Sequence, residues 1–494
     1  MASPSNSHPK GLPVLFFTEM WERMSYYGMR ALLVLFLVDS VEHGGLGLTE
    51  DVATALYGLY TAGVYLAALP GGWIADRLLG HRRAVAAGGC LIAAGHFTLL
   101  GHHLPFLLAG LLLIILGTGL LKPSISTLVG LLYPNGGAQR DSGFTLFYLG
   151  INLGAAIGPL LCSALGEKIA WHYGFGAAGV GMVLGLLQYR LQSRHLGSLG
   201  AQPTQPHPRP GFAWGIIAAS AACMAMVFVA GLLGWWRPDP VVMARNAAGA
   251  IAAVAVGAFG WMLFGVRLGP GERGRVGVIL ILFLAAALFW SGYEQAGSSL
   301  NLFADRFTLR RIGSFEIPAG WFQSVPAVFV VVFAPVVAAW WLHRARQGHQ
   351  PLLIAKLAWG LILLAISFLV LNVGSRRALD HGMVWPTWLL TTYLLQVLGE
   401  LLLSPVGLSA VTQLAPARFV GQMMGLWFLA ASLGNLLAGL LAGQVTGARA
   451  HDMPAQFLNV FLVTGAAGVL LWALAGPLHR RFLGGNRPSV PPSA

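Results

Sequence analysis

In a chain of 494 residues, 56% are hydrophobic and only 10% charged, with a mean hydropathy of +0.70. Soluble globular chains carry about 25% charged residues, so this composition excludes them and points to a polytopic membrane protein. The formal net charge of +13 is spread over many short loops, which argues against a nucleic-acid surface gathered on one domain.

The opening MASPSNSHPKGLPVLFF has no secretory cleavage site, so the first helix is expected to be retained. Runs of roughly 20 apolar residues suit helices that cross a hydrocarbon core about 30 Å thick. Fourteen are predicted, near 12–38, 52–76, 84–101, 104–131, 143–164, 172–191, 212–233, 243–265, 276–302, 318–342, 352–373, 385–411, 419–446 and 456–479. An even count puts both termini on one side. Loops sharing that side hold 18 Lys and Arg against three acids, whereas the opposite loops hold nine against ten. The positive-inside rule therefore places both termini in the cytoplasm.

Seven charges remain inside predicted spans: Arg23, Arg30, Lys122, Glu19, Glu22, Glu294 and Glu400. Each costs roughly 2.5–3.5 kcal/mol at a helix centre, so they are expected to share a paired or water-filled interior. The first helix shows how. At about 100° per residue, Glu22, Tyr26, Glu19, Arg30, Arg23 and Tyr27 fall within an arc of about 140°, and the rest of its surface is mostly Leu, Val, Phe and Met.

Further along, His102 and His103 lie in a predicted extracellular turn, and His96 is either packed or pH-sensing. QSRHLGSLGAQPTQPHPRP is a Pro/Gly-rich linker before two spans without intramembrane charge. The runs GFGAAGVG and LGNLLAGLLAG suit close helix packing. Cys90, Cys162 and Cys223 lack metal-ligand spacing and read as small buried hydrophobes. No nucleotide-binding loop, metal site or catalytic triad is found, so neither an enzyme nor an ATP-driven pump is expected, and no cofactor is needed beyond a proton gradient.

The expected fold class is an all-α membrane protein with the major facilitator fold: two six-helix bundles plus two inserted transmembrane helices, 14 spans in all. Residues 1–191 form the first bundle, 192–275 the linker and insert, and 276–494 the second bundle and tail. The loop GGWIADRLLGHRRA, with Gly71, Asp76, Arg77, Gly80, Arg82 and Arg83, resembles the cytoplasmic signature of that superfamily.

EMWERMSYYG resembles the ExxER motif and Tyr-Tyr-Gly of the proton-dependent oligopeptide transporter family. Further matches are GTGLLKPSISTLVG with Lys122, FYLGINLGAAIGPLL with Asn152, FWSGYEQAGSSL with Glu294, and GELLLSPVGLS with Glu400 and Ser404. The resemblance implies a bacterial inner-membrane symporter, monomeric, whose partners are short peptides, protons and the bilayer, with no nucleic acid. It further implies that Arg30, Lys122 and the Tyr65 hydroxyl engage a peptide carboxylate and that Glu400 and Asn152 engage the amino end. Glu19, Glu22, Arg23, Lys122 and Glu294 would couple protons, Glu294 pairing with Arg30. Tyr26, Tyr27, Tyr148, Trp290, Trp427 and Phe428 are possible walls of the side-chain pocket. One departure is Val325-Pro326-Ala327, which puts Pro326 where many relatives carry a substrate-facing Asn. Transport of nitrate or another small anion is the alternative cargo, though Glu400 argues against it. An intramembrane enzyme or receptor is the alternative class; Glu19 and Glu22 could serve acid-base chemistry, but no nucleophile accompanies them.

Overall fold

The computed structural model describes residues 8–101, 103–235, 238–269, 271–347, 352–444 and 451–482. Its helices in chain order are α1 Gly11–Val38, α2 Glu50–Ile74, α3 His81–Thr98, α4 Leu104–Leu131, α5 Gly137–Lys168, α6 Trp171–Gln192, α7 Pro210–Leu232 and α8 Pro240–Gly260. They continue as α9 Glu272–Tyr293, α10 Ser299–Phe307, α11 Val325–Arg346, α12 Leu353–His381, α13 Thr387–Leu414, α14 Val420–Ala442 and α15 Met453–Phe482. A helix lies over each predicted span. Ten among the described residues are long and apolar enough to cross a membrane. The chain is an all-α integral membrane protein; α1, at 28 residues, is long enough to span but carries four charges.

The fifteenth helix comes from a break in the ninth predicted span. α9 ends at Tyr293, a 3-10 turn covers Glu294–Gly297, and α10 restarts at Ser299. A small hairpin then pairs β1 Arg311–Ile312 with β2 Phe315–Glu316, around Gly313 at φ 61°. A 3-10 turn, Ala319–Ser324, leads into α11. Pro326 occupies the first turn of α11, where a missing N–H costs nothing in helix bonding.

Contacts divide the chain into two compact units: Met1–Ala244 with Ala296–Asp305 and Arg310–Val331, and Arg245–Gln295 with Arg306–Leu309 and Val332–Ala494. In lipid, apolar burial gives helices little reason to associate, so close backbone approach through small residues does that work. In the first unit, Gly154 and Gly158 of α5 lie against the carbonyls of Met20 and Met24, where an added Cβ would overlap them. Met20, Met24 and Gly28 thus form the packed face of α1, about 130° round the helix from its charged stripe. The small residues of α6 pack as expected, Gly174 on Leu32 and Gly181 on Met24 Sδ. In the second unit, Gly360 of α12 and Gly399 of α13 face one another, each with its Cβ direction 2.8–2.9 Å from the other's carbonyl oxygen. Gly434 of α14 fits against Trp290 and the Ala287 carbonyl of α9.

Two expectations need correction. Cys162 is buried, but Cys90 and Cys223 are exposed, because helices in lipid turn small hydrophobes outward as readily as inward. The Pro/Gly-rich linker docks on the signature loop. Arg82 N–H donates to Gly200 O at 2.9 Å, Gln205 N–H to Asp76 O and His207 N–H to Arg77 O, both at 3.1 Å. The signature loop also includes a π-helical turn, Ala75–Leu79, closed by Gly80 at φ 77°. Finally, α5 and α12 run past their expected ends, so Glu167, Arg376 and Arg377 belong to helices and not loops. His96 is fully buried with no hydrogen-bond partner for either ring nitrogen among the described residues, which favours packing. His103 stands exposed, and His102 lies outside the described residues.

Candidate functional site

In the first unit the charged stripe of α1 is internal. Glu19, Glu22, Arg23 and Arg30 are 2%, 0%, 2% and 6% exposed, so the stripe faces protein and not lipid. Arg23 Nη2 donates to Glu22 Oε1 at 2.6 Å and Nε donates to Glu22 Oε2, a bidentate pair that offsets much of the desolvation of both ions. Glu19 Oε1 lies 3.4 Å from the same Nε, one helical turn away. Its other oxygen, Oε2, is buried without a hydrogen-bond partner among the described residues. Lys122 on α4 is within electrostatic reach of Glu19, and its ammonium lies 4.8 Å from the Tyr65 ring centroid.

Arg23 also lies over the ring of Tyr26 at 4.9 Å, and Tyr26 packs edge-on to Tyr27. Arg30 has its guanidinium 5.8 Å from the Tyr27 ring centroid and 5.5 Å from that of Tyr57. Its Nε donates to the Tyr57 hydroxyl at 2.5 Å. Gly297 packs directly on that hydroxyl, and a Cβ there would overlap it. Gly is thus required where the broken segment after Glu294 meets α2.

The cluster joins every first-unit residue expected to couple protons or bind a carboxylate, and adds Tyr57. Its sequence signal is the hydroxyl run Tyr57, Thr61, Tyr65, spaced i, i+4, i+8 on one face of α2. Asn152 is buried, but its amide donates to Tyr148 O in its own helix at 2.9 Å. Tyr148 is 43% exposed.

In the second unit Glu400 accepts from the Tyr293 hydroxyl at 2.5 Å. Tyr293 is ringed by Phe289, stacked at 5.7 Å, and Trp290, edge-on at 5.4 Å. It stands next to Glu294, which is buried in the 3-10 turn and within electrostatic reach of Glu400. Tyr293 was visible in sequence only as a neighbour of Glu294. Trp427 is buried against Gly407, whereas Phe428 is 40% exposed. The side chain of Ser404 lies outside the described residues.

No group of three or more His, Cys, Asp or Glu that could hold a metal ion occurs among the described residues. The first unit thus presents Arg30 and the half-buried Lys122 beside aromatic rings, with Glu19, Glu22 and Arg23 buried together on α1, and the second unit presents the carboxylates Glu294 and Glu400.

The sequence profile of the POT family matches residues 82–457. The peptide transporter YePEPT of Yersinia enterocolitica is 40% identical over 96% of this chain and 95% of its own. A di-/tripeptide transporter of Lactococcus lactis is 34% identical over 94% of this chain and 93% of its own. The crystal structure of a peptide transporter POT in complex with sulfate superposes with a TM-score of 0.90 at 38% identity, covering 97% of this chain and 96% of that one. A POT family transporter in complex with 5-aminolevulinic acid gives 0.87 at 32% identity, covering 96% of this chain and 98% of that one.

Proposed function

The chain belongs to the POT family, and on that premise we propose that it is a proton-coupled symporter that imports di- and tripeptides by alternating access. The observation that carries this reading is the buried Glu19, Glu22 and Arg23 cluster on α1, with Lys122 in reach of Glu19. Protonating a carboxylate there changes the balance around the cation that a peptide carboxylate would also seek. Arg30, Lys122 and Tyr65 receive the peptide carboxylate in this reading, and Glu400 its ammonium. A buried carboxylate held by Tyr293 has no use in binding nitrate, which disfavours the anion reading.

The chain sits in a bacterial inner membrane as a monomer with both termini cytoplasmic, residues 192–275 forming a peripheral insert. The proton gradient alone drives it. The test is uptake of labelled dialanine into proteoliposomes with and without an inward proton gradient. Accumulation above the no-gradient control is expected; its absence would defeat the proposal.

A further inference from the structure

The docked linker creates a second feature that peptide transport does not use. Where α3 begins and α6 ends, a groove of about 460 Å³ opens, lined by Arg82, Arg83, Cys90, Leu186, Tyr189 and Arg190 among others, with no acidic side chain in its lining. Its volume is that of a small-molecule site.

The groove has a built wall. Arg82 is fixed from both ends: its Nη1 donates to Gly197 O of the linker, and its carbonyl accepts from the Tyr189 hydroxyl at 3.2 Å. Gly197 and Gly200 take φ of 56° and 63°, turning the linker back over the end of α3. The nearest acid of the loop, Asp76, is engaged elsewhere, with Thr204 at 3.1 Å and His81 at 3.2 Å. Arg83 and Arg190 are exposed and have no ion-pair partner among the described residues.

Polarity changes along the groove in one direction. Arg83, Ala86 and Cys90 lie at i, i+3, i+7 on α3, and Arg190 and Leu186 occupy one face of the antiparallel α6, with Ser193 just past its end. Both helices therefore put a guanidinium at the loop end and an apolar residue one to two turns deeper. Below, α6 exposes Val183, Leu184 and Leu187, a surface suited to acyl chains. A free anion would use the arginines and leave that apolar depth unfilled.

We propose that this groove binds an anionic phospholipid, with its phosphate on Arg82, Arg83 and Arg190 and its chains along Cys90, Leu186 and the outer face of α6. Phosphate is the shared chemistry of a lipid headgroup and a free ion, and the apolar floor selects the lipid. The inference rests on the membrane reading above, but not on the cargo.

The test is native mass spectrometry of the purified full chain with dioleoyl phosphatidylglycerol, dioleoyl phosphatidylcholine or inorganic phosphate. The wild type should retain phosphatidylglycerol selectively, and inorganic phosphate should not displace it. The double variant Arg83→Gln/Arg190→Gln should bind it about 25-fold more weakly, from two lost surface cations. Arg194→Gln, exposed at the same helix end but outside the groove, should match the wild type. Equal retention of the two lipids, undiminished binding in the double variant, or ready displacement by phosphate would each overturn the proposal. Dialanine uptake in the same preparations reports on the cargo separately, so loss of one reading is distinguishable from loss of the other.

Discussion

The carboxylate of Glu167, at the end of α5, accepts the backbone N–H of Gly320, 153 residues away in sequence, at 2.9 Å. Its other oxygen accepts the N–H of Ala319 at 2.6 Å, so one side chain caps the start of the 3-10 turn that leads into α11. Ser324 Oγ to Ala156 O at 2.7 Å and Trp321 Nε1 to Leu160 O at 2.9 Å fasten the same turn along α5. Removing the cap in Glu167→Ala leaves two N–H groups unsatisfied at buried residues, at a cost of about 1–3 kcal/mol each. Glu167→Gln keeps one carbonyl acceptor and should fall between the two. Thermal unfolding in detergent should rank wild type, Gln, then Ala; an unchanged midpoint in Ala would contradict this role.

The seat of α1 predicts a sharp contrast between two glycines. Gly154→Val places its side chain into the Met20 carbonyl and must push α1 away from α5, costing several kcal/mol or the fold itself. Gly277→Ala in α9 meets nothing within 4 Å and should be neutral or slightly stabilising through lower chain entropy. Size-exclusion profiles after mild heating distinguish them. A monodisperse Gly154→Val with wild-type heat resistance would refute the close-packing argument.

The charged stripe of α1 was legible because polar residues at helical spacing stand out in an apolar run, and the structure buries all four ions. The seat of that helix was less legible: Gly150, Gly154 and Gly158 lie in FYLGINLGAAIGPLL, where a four-residue glycine spacing does not by itself say which helix it meets. The break after Tyr293 was not legible. FWSGYEQAGSSLNLF is apolar enough to read as one helix, and the turn is set by tertiary contact, Gly297 packing on the Tyr57 hydroxyl. Glu167 reads as a loop charge in sequence because its partners are backbone groups, which carry no mark there.

The carboxylate clamp has a chemical test that needs no variant. If Arg30 and Lys122 hold the peptide carboxylate as proposed, charge-assisted bonds worth about 1.5–3 kcal/mol each are at stake, so a dipeptide amide should compete for transport at least tenfold less well than the free peptide. Equal competition by dialanine and its amide would remove both cations from carboxylate binding. Tyr57→Phe removes the acceptor for Arg30 Nε while keeping the ring, and should weaken the free peptide more than the amide.

Glu400 should answer to the other end of the substrate. Glu400→Gln keeps size and the Tyr293 hydrogen bond but removes the charge, so free peptides should bind much more weakly while N-blocked peptides change little. Tyr293→Phe leaves the charge and loses only its positioning, predicting a smaller loss of the same kind. Competition assays with dialanine and N-acetyl dialanine separate these effects. Wild-type affinity for dialanine in Glu400→Gln would place the amino end elsewhere.

Coupling is the most demanding prediction, and it falls on Glu294, buried in the turn where α9 gives way to α10. On the proposal that Glu294 pairs with Arg30, as the family resemblance implies, its carboxylate and a peptide carboxylate would exclude one another while Glu294 is ionised. A proton on Glu294 would then remove its charge and leave Arg30 to the substrate, so proton and peptide would each strengthen the binding of the other by the same factor. A permanently neutral side chain breaks that reciprocity without removing the substrate site. Glu294→Gln should therefore retain exchange of labelled for unlabelled dipeptide and lose accumulation driven by a pH gradient alone. Counterflow in preloaded proteoliposomes, compared with gradient-driven uptake in empty ones, reads the two activities on one preparation. Loss of both would show Glu294 to be needed for binding or folding, and wild-type accumulation would remove it from coupling altogether. Only loss of accumulation with exchange intact fits a proton and a peptide that favour one another through the same arginine.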